Sequence, residues 1–136
     1  APTSKGLHHG KSKVWPEYEK LTQSLQRQGH RVIMCPPPNE TTQAKANAIS
    51  AELLPPLALG PYTALLKEAA LVICNDSGVS HLSAVATAKQ ITLIGVSEIE
   101  HTGPWSTSAL ILGEIGHWPT QDEVLAAAEK VLRGSD

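Results

Sequence analysis

The sequence predicts a doubly wound α/β domain, a parallel sheet carrying helices on both faces. Three observations predict it. Short apolar runs rich in β-branched residues, at 31–35, 71–74 and 91–94, read as buried strands, and 109–112 reads as a short edge strand. Segments with apolar residues at helical spacing alternate with those runs. Each buried run ends on turn formers or helix breakers: Pro36-Pro37-Pro38, Asn75-Asp76-Ser77-Gly78 and Gly95. In a sheet of this kind ligands sit beyond the carboxyl ends of the strands, so polar residues after those ends should share one rim.

Each element follows from local chemistry. Residues 1–13 are polar and read as loop, with 1–12 forming an arm ahead of one domain over 13–136. Trp15-Pro16-Glu17 opens a helix, since proline suits a first turn and a carboxylate suits the positive end of the dipole. Tyr18, Leu21 and Leu25 give its apolar stripe, and Gly29 stops it. After the strand at 31–35, three prolines force the chain out of the sheet. Thr41 or Thr42 then caps an alanine-rich helix expected to run to about Leu53, broken by Pro55-Pro56. Leu57 to Gly60 connects to a helix from Pro61 to Ala69, with Tyr62, Leu65 and Leu66 on its apolar face. A helix from near Val79 follows the strand at 71–74, and irregular chain from Val96 to Ser108 follows the strand at 91–94. Thr120-Gln121-Asp122-Glu123 is a capping box for a last helix through Leu132.

A chain of 136 residues suffices for one domain with a real core. Only 4% of residues are aromatic and none is Phe, so Leu, Ile, Val and Ala must build that core. A net charge of -2 offers no bulk attraction for nucleic acid or an anionic membrane. Lys5, Lys11 and Lys13 cluster with His8 and His9, which fits a solvated arm better than a phosphate site. No apolar run reaches the ~20 residues of a membrane span, and no signal peptide is evident. Cys35 and Cys74 lack zinc or redox spacing and read as free thiols of a reducing compartment. Glu114 and His117 are spaced like two metal ligands, yet no third is offered and Gly116 argues for a turn. The polar start without an initiator Met reads as though it began inside a longer protein.

Leu71 to His81 organises the rest. A strand that ends on a polar, glycine-containing turn opening a helix leaves backbone N–H groups pointing outward, a ready anion site. The same residues equally suit an ordinary turn in which Asp76 or Ser77 caps the helix. Local sequence leaves both open.

Asp76-Ser77-Gly78-Val79-Ser80-His81 resembles the D-[TS]-G-x-x-H signature of the heptosyltransferases, family 9 of the glycosyltransferases. Lys13-Val14-Trp15-Pro16 resembles the K-x-W-P element of that family's second domain. Glu40 resembles its acidic residue after a strand, Ile91–Gly95 its next strand, and Thr102-Gly103-Pro104-Trp105 a downstream loop. The order and spacing agree from about Lys13 to Leu132. The resemblance implies the Rossmann-like C-terminal half of a GT-B enzyme, short of its first strand and without the N-terminal acceptor domain. It implies a nucleotide-diphosphate-sugar donor, by default ADP-heptose, and an acceptor in the lipopolysaccharide core. It also implies inverting transfer without a cofactor or metal, in the bacterial cytoplasm or at the inner face of the inner membrane, with at most peripheral membrane association.

Carried over residue by residue, the resemblance implies donor binding by Lys13, Glu40, Asp76, Ser77, Gly78 and His81. Ser77, Gly78 and the amides after them would meet the diphosphate, where preoriented N–H groups stabilise the charge gathering on the leaving group. Lys13 would clamp phosphate as a mobile point charge, and His81 lies within reach of a phosphate oxygen. Glu40 would accept hydrogen bonds from ribose hydroxyls, though the three prolines before it depart from the family's glycine-rich lead-in. Asp76 is expected to be structural within the site, capping the helix, meeting a sugar hydroxyl or holding Lys13. Leu57 to Leu59 would occupy the place where the family's backbone contacts the base, so side-chain identity there says little. No catalytic residue is assigned, because the base belongs to the acceptor half, and the chain alone is expected to be inactive. The competing readings are a stand-alone nucleotide- or phosphate-binding module and a nucleotide-sugar epimerase or other GT-B relative; the ordered set of motifs argues against the last.

Overall fold

A computed structural model describes residues 2–3, 7–8, 11–12, 14–75, 78–95, 109–114 and 116–134. Leu7–His8 (β1) and Lys11–Ser12 (β2) pair antiparallel, where the sequence suggested loop. Tyr18–Arg27 forms α1, whose Tyr18, Leu21, Thr22 and Leu25 turn inward. Gly29, at φ +92, ends it in a conformation that glycine adopts without strain. Ile33–Met34 forms β3, and the prolines lead into a 3-10 turn at Pro38–Glu40 that runs into α2, Thr41–Asn47.

The alanine-rich helix ends at Asn47, well short of Leu53, and Glu52–Leu53 is instead a strand, β4, parallel to β3. Tertiary bonds override helix propensity here. The Asn47 amide donates to Pro2 O at 2.8 Å, and Ser50 N donates to the Glu19 carboxylate at 2.9 Å, with the Ser50 hydroxyl on the same carboxylate. Burial works to raise the Glu19 pKa, but the bonds from Ser50 and Gln23 outweigh it and hold the group below its usual value. Across the strand pair, Arg31 bridges to Glu52 on the exposed side.

Leu59–Glu68 forms α3, Val72–Asn75 β5, Gly78–Val85 α4, Gln90–Ile94 β6, Ala109–Gly113 β7 and Gln121–Leu132 α5. Strands β5, β6 and β7 are parallel and adjacent in that order, with β6 buried along its whole length and β7 at the edge. Thr120 caps α5 as the capping box predicts, its hydroxyl accepting from Glu123 N at 3.1 Å. One apolar cluster joins Trp15, α1, α2 and α5 to Ile91 and Leu93, and a second joins Leu66 of α3 and Ala86 to Val72 and Cys74. The sheet thus has a core on each face, as the expected α/β architecture requires.

Glu114 and His117 meet through their backbones across a tight turn, Glu114 N to His117 O at 3.0 Å and His117 N to Glu114 O at 2.9 Å. Among the described residues no group of three His, Cys, Asp or Glu could hold a metal ion. Cys74 is buried, while Cys35 is half-buried with its thiol on Pro55 O at 3.2 Å, and burial pushes the Cys35 pKa up. No helix of the described residues is long and apolar enough to cross a membrane.

Candidate functional site

The rim beyond the strand ends is built around Asn75, the last residue of β5 and fully buried. Its side-chain oxygen accepts from Trp15 N at 2.9 Å and from the Tyr18 hydroxyl at 3.0 Å, and its amide donates to Thr3 O at 3.3 Å. Trp15 is itself pinned: its indole N–H donates to Pro119 O at 2.9 Å, and its ring meets Tyr18 edge-on with centroids 5.2 Å apart. Burial raises the Tyr18 pKa well above the ordinary tyrosine value, so the hydroxyl stays protonated and available to donate. One amide therefore ties the start of the chain, the lead-in to α1 and the strand that delivers the β5–α4 turn. Buried polar groups of this kind specify a geometry because every alternative leaves them unpaired.

Behind that turn a second polar set braces α4 against the sheet. Buried Gln90 donates through its amide nitrogen to Ser80 O at 3.1 Å and accepts from the Thr92 hydroxyl at 2.9 Å. The α4 backbone is thus bonded directly to β6. At the end of β6, a Cβ on Gly95 would fall 2.1 Å from the Trp118 ring, so only glycine lets that ring close over the strand end.

The predicted site residues distribute as follows. Gly78 is the first residue of α4, directly beyond the end of β5, and His81 lies in the same first turn with its side chain exposed. Glu40 ends the 3-10 turn after β3 and is half-buried. Burial, with smaller contributions from nearby Cys35, Cys74 and Glu40, pushes the Tyr62 pKa in the first turn of α3 up to about 12. Leu57 and Leu59, ahead of and opening α3, are exposed apolar side chains at 44% and 71%. Lys13, Asp76, Ser77 and the loop Thr102–Trp105 lie outside the described residues. The structure therefore brings Gly78 and His81 together on one helical turn and sets Glu40 after the neighbouring sheet fragment.

Sequence reasoning took Asn75 as one turn former among four and Trp15 as part of a helix entry and a motif match. Both carry the rim. The available signal was Asn at the last position of an apolar run, where a buried amide must find partners.

A strand delivering a glycine to the first turn of a helix, within a parallel α/β sheet, defines a Rossmann-like domain of the kind that binds ligands at its strand ends. The model for glycosyltransferase family 9 (heptosyltransferase) matches residues 1–130, and the chain belongs to that family. Among solved structures, Escherichia coli heptosyltransferase WaaC with ADP is 26% identical with a TM-score of 0.77, covering 88% of this chain and 40% of that one. The same enzyme with ADP-2-deoxy-2-fluoro heptose is 27% identical with a TM-score of 0.72, covering 87% and 39%. E. coli ADP-heptose lps heptosyltransferase II, 22% identical, shares the fold with a TM-score of 0.79 over 95% of this chain and 45% of that one. The chain thus spans about two fifths of the length of these relatives. A search of curated proteins finds no significant match.

Proposed function

We propose that this chain is the donor-binding half of a family 9 glycosyltransferase and grips the diphosphate of a sugar nucleotide, ADP-heptose, for transfer to a lipopolysaccharide core acceptor. The observation that carries the reading is the opening of α4 at Gly78 immediately past the end of β5, within a chain of this family. A helix start presents unpaired N–H groups and the positive end of a dipole, which suit a diphosphate gathering charge as it leaves. Ser77 and Gly78 would contact the diphosphate, with Lys13 and His81 supplying positive or donating groups beside it. Glu40 would hold ribose hydroxyls, and Asp76 would order the turn. Exposed Leu57 and Leu59 offer apolar surface for a base. The WaaC structures that hold ADP and a fluorinated ADP-heptose support an adenine nucleotide as ligand. Acceptor and catalytic base would come from a further domain, so this chain alone transfers no sugar. The site would work in the bacterial cytoplasm.

Titration with ADP by calorimetry tests the reading. Binding saturates for the native chain, and Gly78→Asp abolishes it by placing a carboxylate where the phosphate sits. Aspartate in a helix's first turn is favourable, so the variant should still fold. Undiminished ADP affinity in folded Gly78→Asp refutes the assignment.

A further inference from the structure

Helix α4 lies on the sheet through apolar contact. Its Val79 and Leu82 pack against the second core, with Val72 and Cys74 of β5. Contacts of that kind press a helix onto strands but carry no direction, so they leave its position along the strands loosely set. A hydrogen bond has direction. Between α4 and β6 the bond from the Gln90 amide to Ser80 O, at 3.1 Å, supplies it. Ser80 is the third residue of α4, so its carbonyl belongs to the turn that opens past the end of β5.

The amide is aimed. In the parallel register Gln90 lies opposite Val72 and Thr92 opposite Cys74, so both β6 side chains rise on the face that α4 covers. Gln90 Oε1 accepts from the Thr92 hydroxyl at 2.9 Å, which leaves the amide nitrogen for Ser80 O. Turning the amide over would set two acceptors, Oε1 and Ser80 O, against each other.

Stability does not require this arrangement. Ser80, Gln90 and Thr92 are all buried, and a buried hydrogen-bonded pair adds little over an apolar pair of the same shape. The same unit also carries two features that cost stability. The Ser83 hydroxyl, three residues further along α4, is buried without a hydrogen-bond partner among the described residues. Thr87, between α4 and β6, sits at φ +56, where a β-branched residue is strained. Such strain persists where the surroundings over-determine a geometry. The geometry determined here is the seat of α4 on β6.

We propose that Gln90, oriented by Thr92, is a positioning residue for the donor diphosphate. Its amide fixes the first turn of α4 along the sheet, so that the N–H groups opening the helix stand aimed before the ligand arrives. Neither side chain touches the ligand. The proposal rests on the donor-site reading and adds to it the pair of β6 residues that presets the site.

The test uses the full chain, with ADP calorimetry beside thermal melts. Gln90→Leu combined with Thr92→Val replaces the pair by apolar groups of similar size. Its melting temperature stays within about 5 °C of native. ADP binds it about tenfold more weakly, part of what one charge-assisted N–H bond contributes. Ser83→Ala, on the same buried face, removes a stranded hydroxyl; it melts no lower than native and binds ADP as native does. Thr92→Ser keeps the hydroxyl and native affinity although it loses a methyl group, whereas Thr92→Val weakens binding. That comparison decides the matter if the double variant does not fold, and equal affinities of the two Thr92 variants overturn the proposal. Native affinity in the folded double variant also overturns it and leaves the donor site standing. Affinity that merely follows melting temperature across the four variants shows a structural role alone and overturns it too. Failure of the native chain to bind ADP instead refutes the donor reading, and the positioning role falls with it.

Discussion

Replacing Asn75 by alanine removes at least three hydrogen bonds at once. It leaves two buried donors, Trp15 N–H and the Tyr18 hydroxyl, and one buried acceptor, Thr3 O. Leaving a buried polar group unpaired costs ~1–3 kcal/mol, against a net gain near ~1 kcal/mol for making the bond. Partial relaxation of the Thr3 segment lowers the sum, so the expected loss is about 4 kcal/mol. That is a large part of the stability of an ordinary domain. Tyr18→Phe differs sharply, because the Asn75 oxygen keeps its bond from Trp15 N and only one bond is lost, for about 1 kcal/mol. In the Asn75→Ala background the same Tyr18→Phe change should cost nothing or restore stability, since it deletes a hydroxyl already stranded. Urea unfolding of the four proteins in this double-mutant cycle measures the coupling. An Asn75→Ala loss under about 1 kcal/mol with unchanged m, or additive single effects, refutes the claim that this amide organises the rim.

Further outcomes follow from the same contacts. Gly95→Ala drives a methyl into the Trp118 ring, which lies 2.1 Å from the added Cβ, and should destabilise by about 1–3 kcal/mol. Adding Trp118→Ala should recover part of that loss in thermal melts; strictly additive losses would show that the ring does not close on the glycine. Tyr62, pushed up to about 12 by burial, keeps its proton when folded while the unfolded chain ionises near pH ~10. The stability it contributes is complete below pH ~10 and is lost as pH rises through about 12, at most ~2.7 kcal/mol. Tyr62→Phe should therefore lose less stability than the native chain between pH 8 and pH 11.5 in urea titrations, and equal losses contradict the assignment.

The parts of the fold legible in the sequence were those fixed by local chemistry. Apolar runs gave β5, β6 and β7, the Tyr18–Leu21–Leu25 stripe gave α1, and the Thr120 capping box gave the start of α5 within a residue. Misreadings came where distant partners decide. Nothing near Ala48 announces that Asn47 will bond Pro2 and Ser50 will bond Glu19, and those bonds convert the end of a strong helix former into β4. The short antiparallel pair β1–β2 has no apolar alternation to betray it. At the site, turn chemistry located the β5–α4 junction, and Gly78 does open the helix. Asn75 was hidden because its value lies in partners 57, 60 and 72 residues away.

Those separations bear on how a strand-end site is set. A helix start binds an anion only if its N–H groups are held still, and α4 is held from two sides. Gln90 fixes its backbone to β6 through Ser80 O, while Asn75 fixes the strand before it to Trp15, Tyr18 and Thr3.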